Sequence, residues 1–154
     1  MFKIGEVVVH NKQGLCTIKE LTKINDMDYY VLTSSRDDTK IMIPVNNANN
    51  LIRKIITKQE IDELIKKIQK IEVNSIPDFK TRVKKYDELL KSGEPEKLVV
   101  LLKMIHKYKK ENNNLTIADK EISKAAEKLL FDEFAYVLTI KSNEVEKYLF
   151  KKAN

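Results

Sequence analysis

The side chains best suited to catalysis or metal binding are few in this chain and widely spaced. His10 and His106 are its two histidines, and their separation does not match the spacing of a metal site. Cys16 lies among strand-forming residues without a predicted base beside it, which favours a small buried side chain over a nucleophile. The three glycines are far apart, so the sequence contains no glycine-rich phosphate loop. The sequence therefore predicts no enzyme, no metal site and no cofactor.

One segment does combine an aromatic residue with closely spaced cations. Residues 79–86 read FKTRVKKY, and the preceding Asp78 is a typical helix N-cap. In a helix that begins there, Lys80 and Lys84 lie one turn apart, and Arg82 lies near Lys85. These cations suit DNA phosphates, and an aromatic Phe79 at the helix start suits a wedge against a base step of the minor groove. In the alternative interpretation, which composition alone favours, Phe79 fills a helical core and the lysines face solvent.

Composition limits the classes of protein that need to be considered. The chain has 154 residues, of which 34% are charged, and a formal net charge of +6. This excess permits a polyanionic partner without requiring one. A single cysteine excludes an intramolecular disulfide and favours a reducing compartment. The sequence shows neither an export signal nor an apolar run long enough to span a membrane, so we expect a cytoplasmic protein with no membrane or small-molecule partner.

The first third of the chain has the pattern of a small β-structure. Short runs rich in β-branched and aromatic residues alternate with turn-rich stretches that contain Asn, Asp, Gly and Ser. Four or five strands in about 55 residues predict a small Tudor-like or SH3-like antiparallel β-barrel over residues 1–57. The predicted strands lie near residues 7–9, 17–21, 29–33, 40–43 and 51–55.

The rest of the chain has helical periodicity. Thr57 and Glu60 form a capping box, Asp78 begins a second helix, and Gly93 is placed to end it. Pro95 and Thr116 mark two further starts, and a terminal helix begins near Ser142. Residues 58–154 are therefore predicted to form an all-α bundle of about five helices, which makes the fold class α+β with a boundary near residue 57.

Several of these segments together resemble the CarD family (also called CdnL) of bacterial regulators that bind RNA polymerase. Residues 2–10, FKIGEVVVH, are similar to the family's opening motif, and Tyr30-Val31-Leu32 and Ile41-Met42-Ile43-Pro44 follow in the expected order. This block is also similar to the polymerase-interacting module of the transcription-repair coupling factor. Residues 79–93 resemble the family's W-x-x-R-x-K … L-x-S-G segment, and residues 115–121 resemble its later helix start.

The resemblance implies a protein with two contacts. The N-terminal domain would dock on the β subunit of RNA polymerase, and the helical domain would contact promoter DNA at the upstream edge of the melted bubble and stabilise the open complex. Matching positions give Phe79, Arg82, Lys84 and Lys120 as DNA contacts, to which the local charge adds Lys80 and Lys85. The candidate polymerase contacts are Lys23, Ile24, Lys40, Met42 and Pro44.

Two positions differ from the family pattern. Phe79 stands where the family often has tryptophan, and Met42 stands where it often has arginine. With the resemblance included, the wedge interpretation of Phe79 is favoured over core packing.

Two alternatives remain at this stage. The chain could be a protein-interaction module whose helices contact protein rather than DNA, which buried Phe79 and divergent cations would support. It could also bind nucleic acid through exposed aromatic residues of the barrel, for which Tyr29 and Tyr30 are the paired candidates.

Overall fold

A computed structural model describes the backbone of residues 1–153 and the side chains of residues 1–150. The chain divides into two units, residues 1–55 and residues 56–154, close to the predicted boundary. The first unit contains the strands and the second contains the long helices. In the described part of the chain, every helix is too short or too polar to cross a lipid bilayer.

The first unit is an antiparallel sheet, as the sequence predicts. Its strands are β1 (Val7–His10), β2 (Gly14–Ile24), β3 (Met27–Ser34), β4 (Lys40–Pro44) and β5 (Ile52–Lys54). A 3-10 turn (Val45–Asn47) and the short helix α1 (Ala48–Leu51) separate β4 from β5. The spatial order is β4-β3-β2-β1-β5. Closure into the predicted barrel would require β4 to pair with β5, and within the described residues they are instead the two edges of an open sheet.

One face of the sheet carries the core of the first unit. Val8, Cys16, Ile18, Leu32 and Ile43 are almost completely buried there. Burial, with a smaller contribution from Asp37, raises the pKa of the Cys16 thiol to about 11. The thiol is therefore neutral at physiological pH, and the prediction that Cys16 is a small core side chain is confirmed.

The hairpin between β2 and β3 contains two local features that set the direction of its side chains. Asn25 and Asp26 both have positive φ, 49° and 64°, which is the conformation of a two-residue type I′ turn. The pairing register shifts between Ile18 and Glu20, so Lys19 is an extra residue in a β-bulge. An inserted residue reverses the alternation of side chains beyond it. Before the bulge the even-numbered residues of β2, such as Ile18, point to the core side of the sheet. After it the odd-numbered residues, such as Leu21, point to that side.

The second unit consists of the five predicted helices. They are α2 (Lys58–Ile68), α3 (Phe79–Ser92), α4 (Pro95–Asn112), α5 (Ile117–Leu138) and α6 (Ser142–Ala153). The Thr57 capping box has both of its hydrogen bonds, and Pro95 lies at the start of α4. Gly93 ends α3 with φ of 66°, a left-handed conformation that glycine adopts without a steric penalty. Buried side chains from all of these helices form the core: they include Ile61, Leu64, Tyr86, Leu98, Leu101, Leu130, Phe134 and Val145.

Lysine side chains of α4 fix the irregular segment that joins α2 to α3. Lys103 Nζ donates hydrogen bonds to the carbonyl oxygens of Ile68 and Ile71, at 2.8 and 2.5 Å. Lys107 lies one turn further along and donates to the carbonyl oxygen of Val73 at 2.9 Å. These bonds add partners to carbonyl groups at and beyond the end of α2, and they position the chain that leads into α3.

Candidate functional site

The start of α3 presents an aromatic side chain to solvent. Phe79 is the first residue of the helix and is 49% exposed. The carboxylate of Asp78 accepts hydrogen bonds from Thr81 N at 2.9 Å and Thr81 Oγ1 at 2.7 Å. These bonds lower the pKa of Asp78, so the cap is charged under ordinary conditions. Because Phe79 is half-exposed, the interpretation that it fills the bundle core is wrong.

The prediction that Arg82 contacts DNA is also wrong. Arg82 is 1% exposed, on the same side of α3 as the buried Tyr86 and Leu89. Its Nε donates to Asp119 Oδ1 at 3.1 Å, and its Nη2 donates to Asp119 Oδ2 at 3.2 Å. Arg82, Tyr86 and Leu89 recur at intervals of about one helical turn, so they share the face of α3 that packs against the rest of the bundle. Arg82 is therefore a structural residue within the second unit.

The remaining contacts of Arg82 connect it to three parts of the bundle. Nη1 donates to the carbonyl oxygens of Ile76 and Pro77, at 3.2 and 3.1 Å, in the segment before α3. The guanidinium lies 4.0 Å from the ring centroid of Tyr108 on α4 and 5.5 Å from that of Phe79. Both are cation–π distances. Phe79 is thus exposed on one side and supported on the other by a side chain that is itself fixed.

Asp119 is the partner that holds Arg82. Burial raises the pKa of its carboxyl, but hydrogen bonds from Arg82 and Thr116 outweigh burial and place the pKa below its usual range. Burial likewise lowers the pKa of Arg82, and the hydrogen bond and charge of Asp119 reverse that effect. Both groups are therefore charged in the folded protein. Replacing either residue alone would leave the other charge buried and unpaired, so each charge depends on the other for its stability.

The same carboxylate caps α5. Asp119 Oδ2 accepts from Thr116 N at 3.0 Å and from Thr116 Oγ1 at 2.8 Å, while Thr116 Oγ1 accepts from Asp119 N at 3.1 Å. Since Arg82 lies in the first turn of α3 and Asp119 in the first turn of α5, the two helices begin side by side. We call this region the helix-start end.

Predicted cations surround the helix-start end. Lys80, Lys84 and Lys85 are exposed on α3, with Lys80 and Lys84 one turn apart on the same face. Lys120 is exposed on α5, directly after the buried Asp119. Lys120 thus lies at the same end of the helical unit as the start of α3, although 41 residues of chain separate Lys120 from Phe79. Four of the five predicted cations remain available to a polyanion, and Arg82 does not.

Four of the predicted polymerase contacts share one face of the sheet. The register pairs Tyr29 with Pro44, Val31 with Met42, Thr33 with Lys40 and Ile24 with Met27. Side-chain alternation places these pairs on the side away from the core. We call this surface the outer face and define it by Ile24, Met27, Lys40, Met42 and Pro44. Ile24, Met27 and Met42 are 43%, 44% and 46% exposed.

The fifth predicted contact lies elsewhere. Lys23 is paired with Asp28, two positions along β2 from Leu21, which is paired with the buried Tyr30. Because alternate residues of a strand point to the same side, the Lys23 side chain points to the core side of the sheet. Lys23 therefore points to the opposite side of the sheet from the other four predicted polymerase contacts. The physical reason is the bulge at Lys19, which reverses the alternation in the distal part of β2.

The outer face borders an edge of the sheet. β4 pairs with β3 on one side, and Ser34 N donates to the carbonyl oxygen of Thr39 at 2.9 Å. In an antiparallel ladder, such bonds fall on every second residue, so the backbone groups of Lys40 and Met42 face away from β3. Such an edge can accept a further strand.

The aromatic pair considered for nucleic-acid binding by the sheet is not exposed. Tyr30 is 4% exposed, its hydroxyl accepts a hydrogen bond from Phe2 N at 3.2 Å, and its ring packs edge-to-face against Phe2 at 6.1 Å. Tyr29 is partly buried on the other face. The alternative that relied on these two residues therefore loses its candidate surface.

The two histidines have different environments. His10 is buried, and its Nδ1 accepts hydrogen bonds from the backbone N–H groups of Lys12 and Gln13, both at 3.1 Å. Burial, and then the charge of Lys12, lower its pKa, so the ring is neutral and stabilises the β1–β2 turn. His106 is exposed on α4. Among the described residues, no group of three or more His, Cys, Asp and Glu side chains is placed to hold a metal ion.

Comparison with known families identifies both units. A family model described as the CarD-like/TRCF RID domain matches residues 2–56, and one described as the CarD C-terminal domain matches residues 63–150. The chain belongs to the CarD family. No curated protein sequence matches it significantly.

Membership confirms the resemblance inferred from the motifs. The two domains of this CarD-family chain are those of a transcription factor that interacts with RNA polymerase, and neither family description names an enzyme. The fold places its polymerase-interacting domain in the sheet unit and its CarD C-terminal domain in the helical unit.

Two features of the helix-start end are not predicted by the sequence. The partner of Arg82 is Asp119, 37 residues away, and the capping box Thr116-x-x-Asp119 was visible without revealing that pairing. Ile117, the first residue of α5, is 77% exposed. Its position directly after a cap was the available signal, because the first turn of a helix often lies at the surface.

Proposed function

We propose that this CarD-family protein docks on the β subunit of RNA polymerase through its sheet and stabilises the open promoter complex through its helical unit. The helical unit would contact DNA at the upstream edge of the bubble. The observation that carries the proposal is the half-exposed Phe79, supported by the buried Arg82–Asp119 pair and surrounded by exposed lysines.

The chemistry of the helix-start end suits DNA in a sequence-independent manner. Lys80, Lys84, Lys85 and Lys120 supply cations for phosphates, and the first turns of α3 and α5 carry the positive ends of their helix dipoles. The Phe79 ring has no hydrogen-bonding group, so it contributes apolar surface rather than base readout. Apolar side chains of this kind wedge between base steps of the minor groove and kink the duplex.

The proposed mechanism is preferential binding to one state of the promoter. A wedge that fits an unstacked base step binds the open complex more tightly than the closed duplex, and so shifts the opening equilibrium. Each tenfold preference corresponds to about 1.4 kcal/mol. Promoter preference would then follow from DNA shape and ease of melting, since phosphate contacts carry no sequence information.

The outer face and the β4 edge are the proposed contacts with the polymerase β subunit. The outward backbone groups of Lys40 and Met42 are placed to pair with an added strand, which is a common mode of peptide recognition. Ile24, Met27 and Met42 would add apolar contacts. Met42 replaces the arginine that is frequent in the family, so an apolar contact takes the place of an ion pair at this position.

The decisive measurement is the lifetime of promoter complexes with and without the protein. Phe79→Ala should shorten the lifetime by roughly tenfold, because it removes the apolar surface of the wedge. Tyr136→Ala is a matched control, since Tyr136 is 55% exposed near the far end of α5. Both variants should bind polymerase normally in a pull-down. An unchanged lifetime with Phe79→Ala would contradict the wedge.

A second candidate function remains: a protein-interaction module that binds polymerase without DNA contact. The apolar outer face, with its half-exposed methionines, is the observation that favours it. The two functions differ in the role of the lysines. Exchange of Lys80, Lys84 and Lys120 for glutamate would shorten the promoter-complex lifetime if they contact phosphates, and would leave it unchanged in a pure protein module. Free DNA should bind weakly and with steep salt dependence.

A further inference from the structure

The chain between α2 and α3 has few main-chain hydrogen bonds of its own. We call residues 69–77 the α2–α3 connection; its residues 71–77 have no regular secondary structure. Among the described residues, those numbered 72–77 make no hydrogen bond from one main-chain group to another. A segment of this kind opens easily unless other groups hold it. The connection nevertheless leads directly to Asp78 and Phe79, so side chains have to fix its path.

A row of polar side chains along α4 supplies many of these contacts. Lys103, Lys107 and Glu111 recur at every fourth residue, so they lie along one face of the helix. The two ammonium groups donate to three carbonyl oxygens at and beyond the end of α2, at 2.8, 2.5 and 2.9 Å. Glu111 Oε2 accepts a hydrogen bond from Ser75 Oγ at 2.5 Å, which extends the row by one more turn.

Arg82 holds the other end of the connection. Its Nη1 donates to the carbonyl oxygens of Ile76 and Pro77, immediately before the cap of α3. The positions held by side chains therefore recur every one to three residues from the end of α2 to the start of α3. The α4 row holds the first part of this path, and Arg82 holds the last.

We propose that Lys107, together with Lys103, is a positioning residue for the Phe79 wedge. This inference rests on the proposed DNA-binding function of the helical unit and extends it from the wedge to the groups that orient it. Lys107 would not contact DNA. It would fix the chain that leads into Phe79, so that less free energy is lost to ordering this chain when DNA binds.

The lysines of the row differ from those proposed to contact phosphates. Lys103 and Lys107 are partly buried, and their ammonium groups are already hydrogen-bonded to carbonyl oxygens, whereas Lys80 and Lys84 are exposed. An ammonium group has three N–H donors on a long apolar stem, so it can reach carbonyl oxygens that no main-chain N–H approaches. This environment favours a role within the protein over a phosphate contact.

The first test uses the full-length chain with RNA polymerase and a promoter. Lys107→Met keeps an unbranched apolar stem and removes the ammonium group. It should shorten the promoter-complex lifetime by roughly threefold, because the connection loses one hydrogen bond from a charged donor, and it should leave polymerase pull-down unchanged.

Lys110→Met is the matched control for charge. Lys110 lies on the same helix, is exposed and, in the described part of the chain, makes no hydrogen bond to the connection. Its replacement removes the same charge and should leave the lifetime almost unchanged. Equal shortening by the two substitutions would overturn the inference, since the effect would then follow from charge alone.

A double-mutant cycle with Phe79→Ala separates positioning from direct contact. If Lys107 acts through Phe79, Lys107→Met should change the lifetime little once the ring is absent. The same shortening with and without the ring would overturn the inference. If Phe79→Ala shortens the lifetime and Lys107→Met does not, the inference fails alone. If Phe79→Ala has no effect, the wedge and the inference fail together.

Ser75→Ala tests the same row without a change of charge. It removes the hydrogen bond to Glu111 and should shorten the lifetime by about twofold. In the free protein, nuclear magnetic resonance order parameters of residues 72–76 should fall from about 0.85 towards 0.6 in both Ser75→Ala and Lys107→Met, while those of α4 stay unchanged. Unchanged order parameters in Lys107→Met would overturn the inference, because the connection would not depend on the ammonium group.

Discussion

The outer face of the sheet and the helix-start end both expose apolar side chains beside lysines, but they are constructed differently. The backbone register sets the outer face, so Ile24 and Met42 are placed by strand pairing alone. The helix-start end depends on a side-chain pair, Arg82 with Asp119, that joins positions 37 residues apart. Similar surfaces can therefore respond very differently to mutation, because one depends on main-chain hydrogen bonds and the other on a buried ion pair.

The largest expected effect tests this contrast at Asp119. Asp119→Ala leaves the buried Arg82 charge without its carboxylate and removes the Asp119 half of the α5 capping box, so we expect a loss of about 3–5 kcal/mol in the free energy of unfolding of the helical unit. Denaturant unfolding followed by far-ultraviolet circular dichroism at the helical band measures it.

Asp87→Ala is the matched control, because Asp87 pairs with Lys91 at 2.8 Å on the exposed surface of α3. It should leave the unfolding midpoint almost unchanged. If the two aspartate substitutions destabilised the unit equally, the helix-start end would not depend on its buried pair.

A smaller effect is expected for the outer face, and on binding rather than on stability. Met42→Asp places a charge on the proposed interface and should weaken polymerase binding by about tenfold. Leu21→Asp is the control, because Leu21 is also about half-exposed, at 53% against 46% for Met42, but points to the opposite side of the sheet. Surface plasmon resonance with a β-subunit fragment measures both. Equal loss in the two variants would argue against the assignment of the outer face.

A still smaller effect is expected when the pH is lowered, because the stabilities of the two units depend on pH in different ranges. The neutral ring of His10 contributes stability that is complete above its ordinary pKa of 6.5 and is lost as pH falls through the lowered pKa of the folded state. The carboxylate of Asp119 contributes fully above 3.8 and is lost only below that value, because its folded-state pKa is also lowered.

The sheet unit should therefore weaken between about pH 6.5 and pH 4 while the helical unit does not. Amide hydrogen exchange, followed by nuclear magnetic resonance across this range, reports on each unit. His10→Asn keeps a hydrogen-bond acceptor near the turn without a titrating ring, so it should remove this part of the pH dependence. A helical unit that weakened first would contradict the assignment.

The smallest expected effect is on the salt dependence of DNA binding. Lys84→Ala removes one proposed phosphate contact, so the slope of the logarithm of affinity against the logarithm of salt concentration should fall by about one. Lys91→Ala, at the other end of the same helix, should leave the slope unchanged. Fluorescence anisotropy with a labelled promoter fragment measures this slope. Identical slopes for both variants would contradict the assignment of Lys84 as a phosphate contact.

Local signals in the sequence predicted much of this fold. The capping box at Thr57, the N-cap Asp78, the left-handed Gly93 and Pro95 at a helix start all act through neighbouring residues, and each appears in the structure as expected. The exposure of Phe79 was favoured only once the family resemblance was included, because composition alone does not say which side of a helix faces the core.

The errors share a physical origin in contacts that local patterns do not encode. Arg82 was assigned to DNA because its true partner is far away in the chain. Lys23 was grouped with the other polymerase contacts, and strict alternation does not anticipate the bulge at Lys19, which turns Lys23 to the opposite side of the sheet. Closure of the barrel was expected from the number of strands, whereas it depends on whether β4 meets β5.

The support beneath Phe79 also affects how this surface can evolve. The orientation of the first turn of α3 is held by Arg82 through Asp119, Ile76 and Pro77, and none of these bonds involves the Phe79 side chain. The ring at position 79 can therefore be exchanged for a larger or smaller one at little cost to folding. Under the proposed function, a lineage could tune the affinity for promoter DNA by changing that one side chain; phenylalanine stands here where the family often has tryptophan.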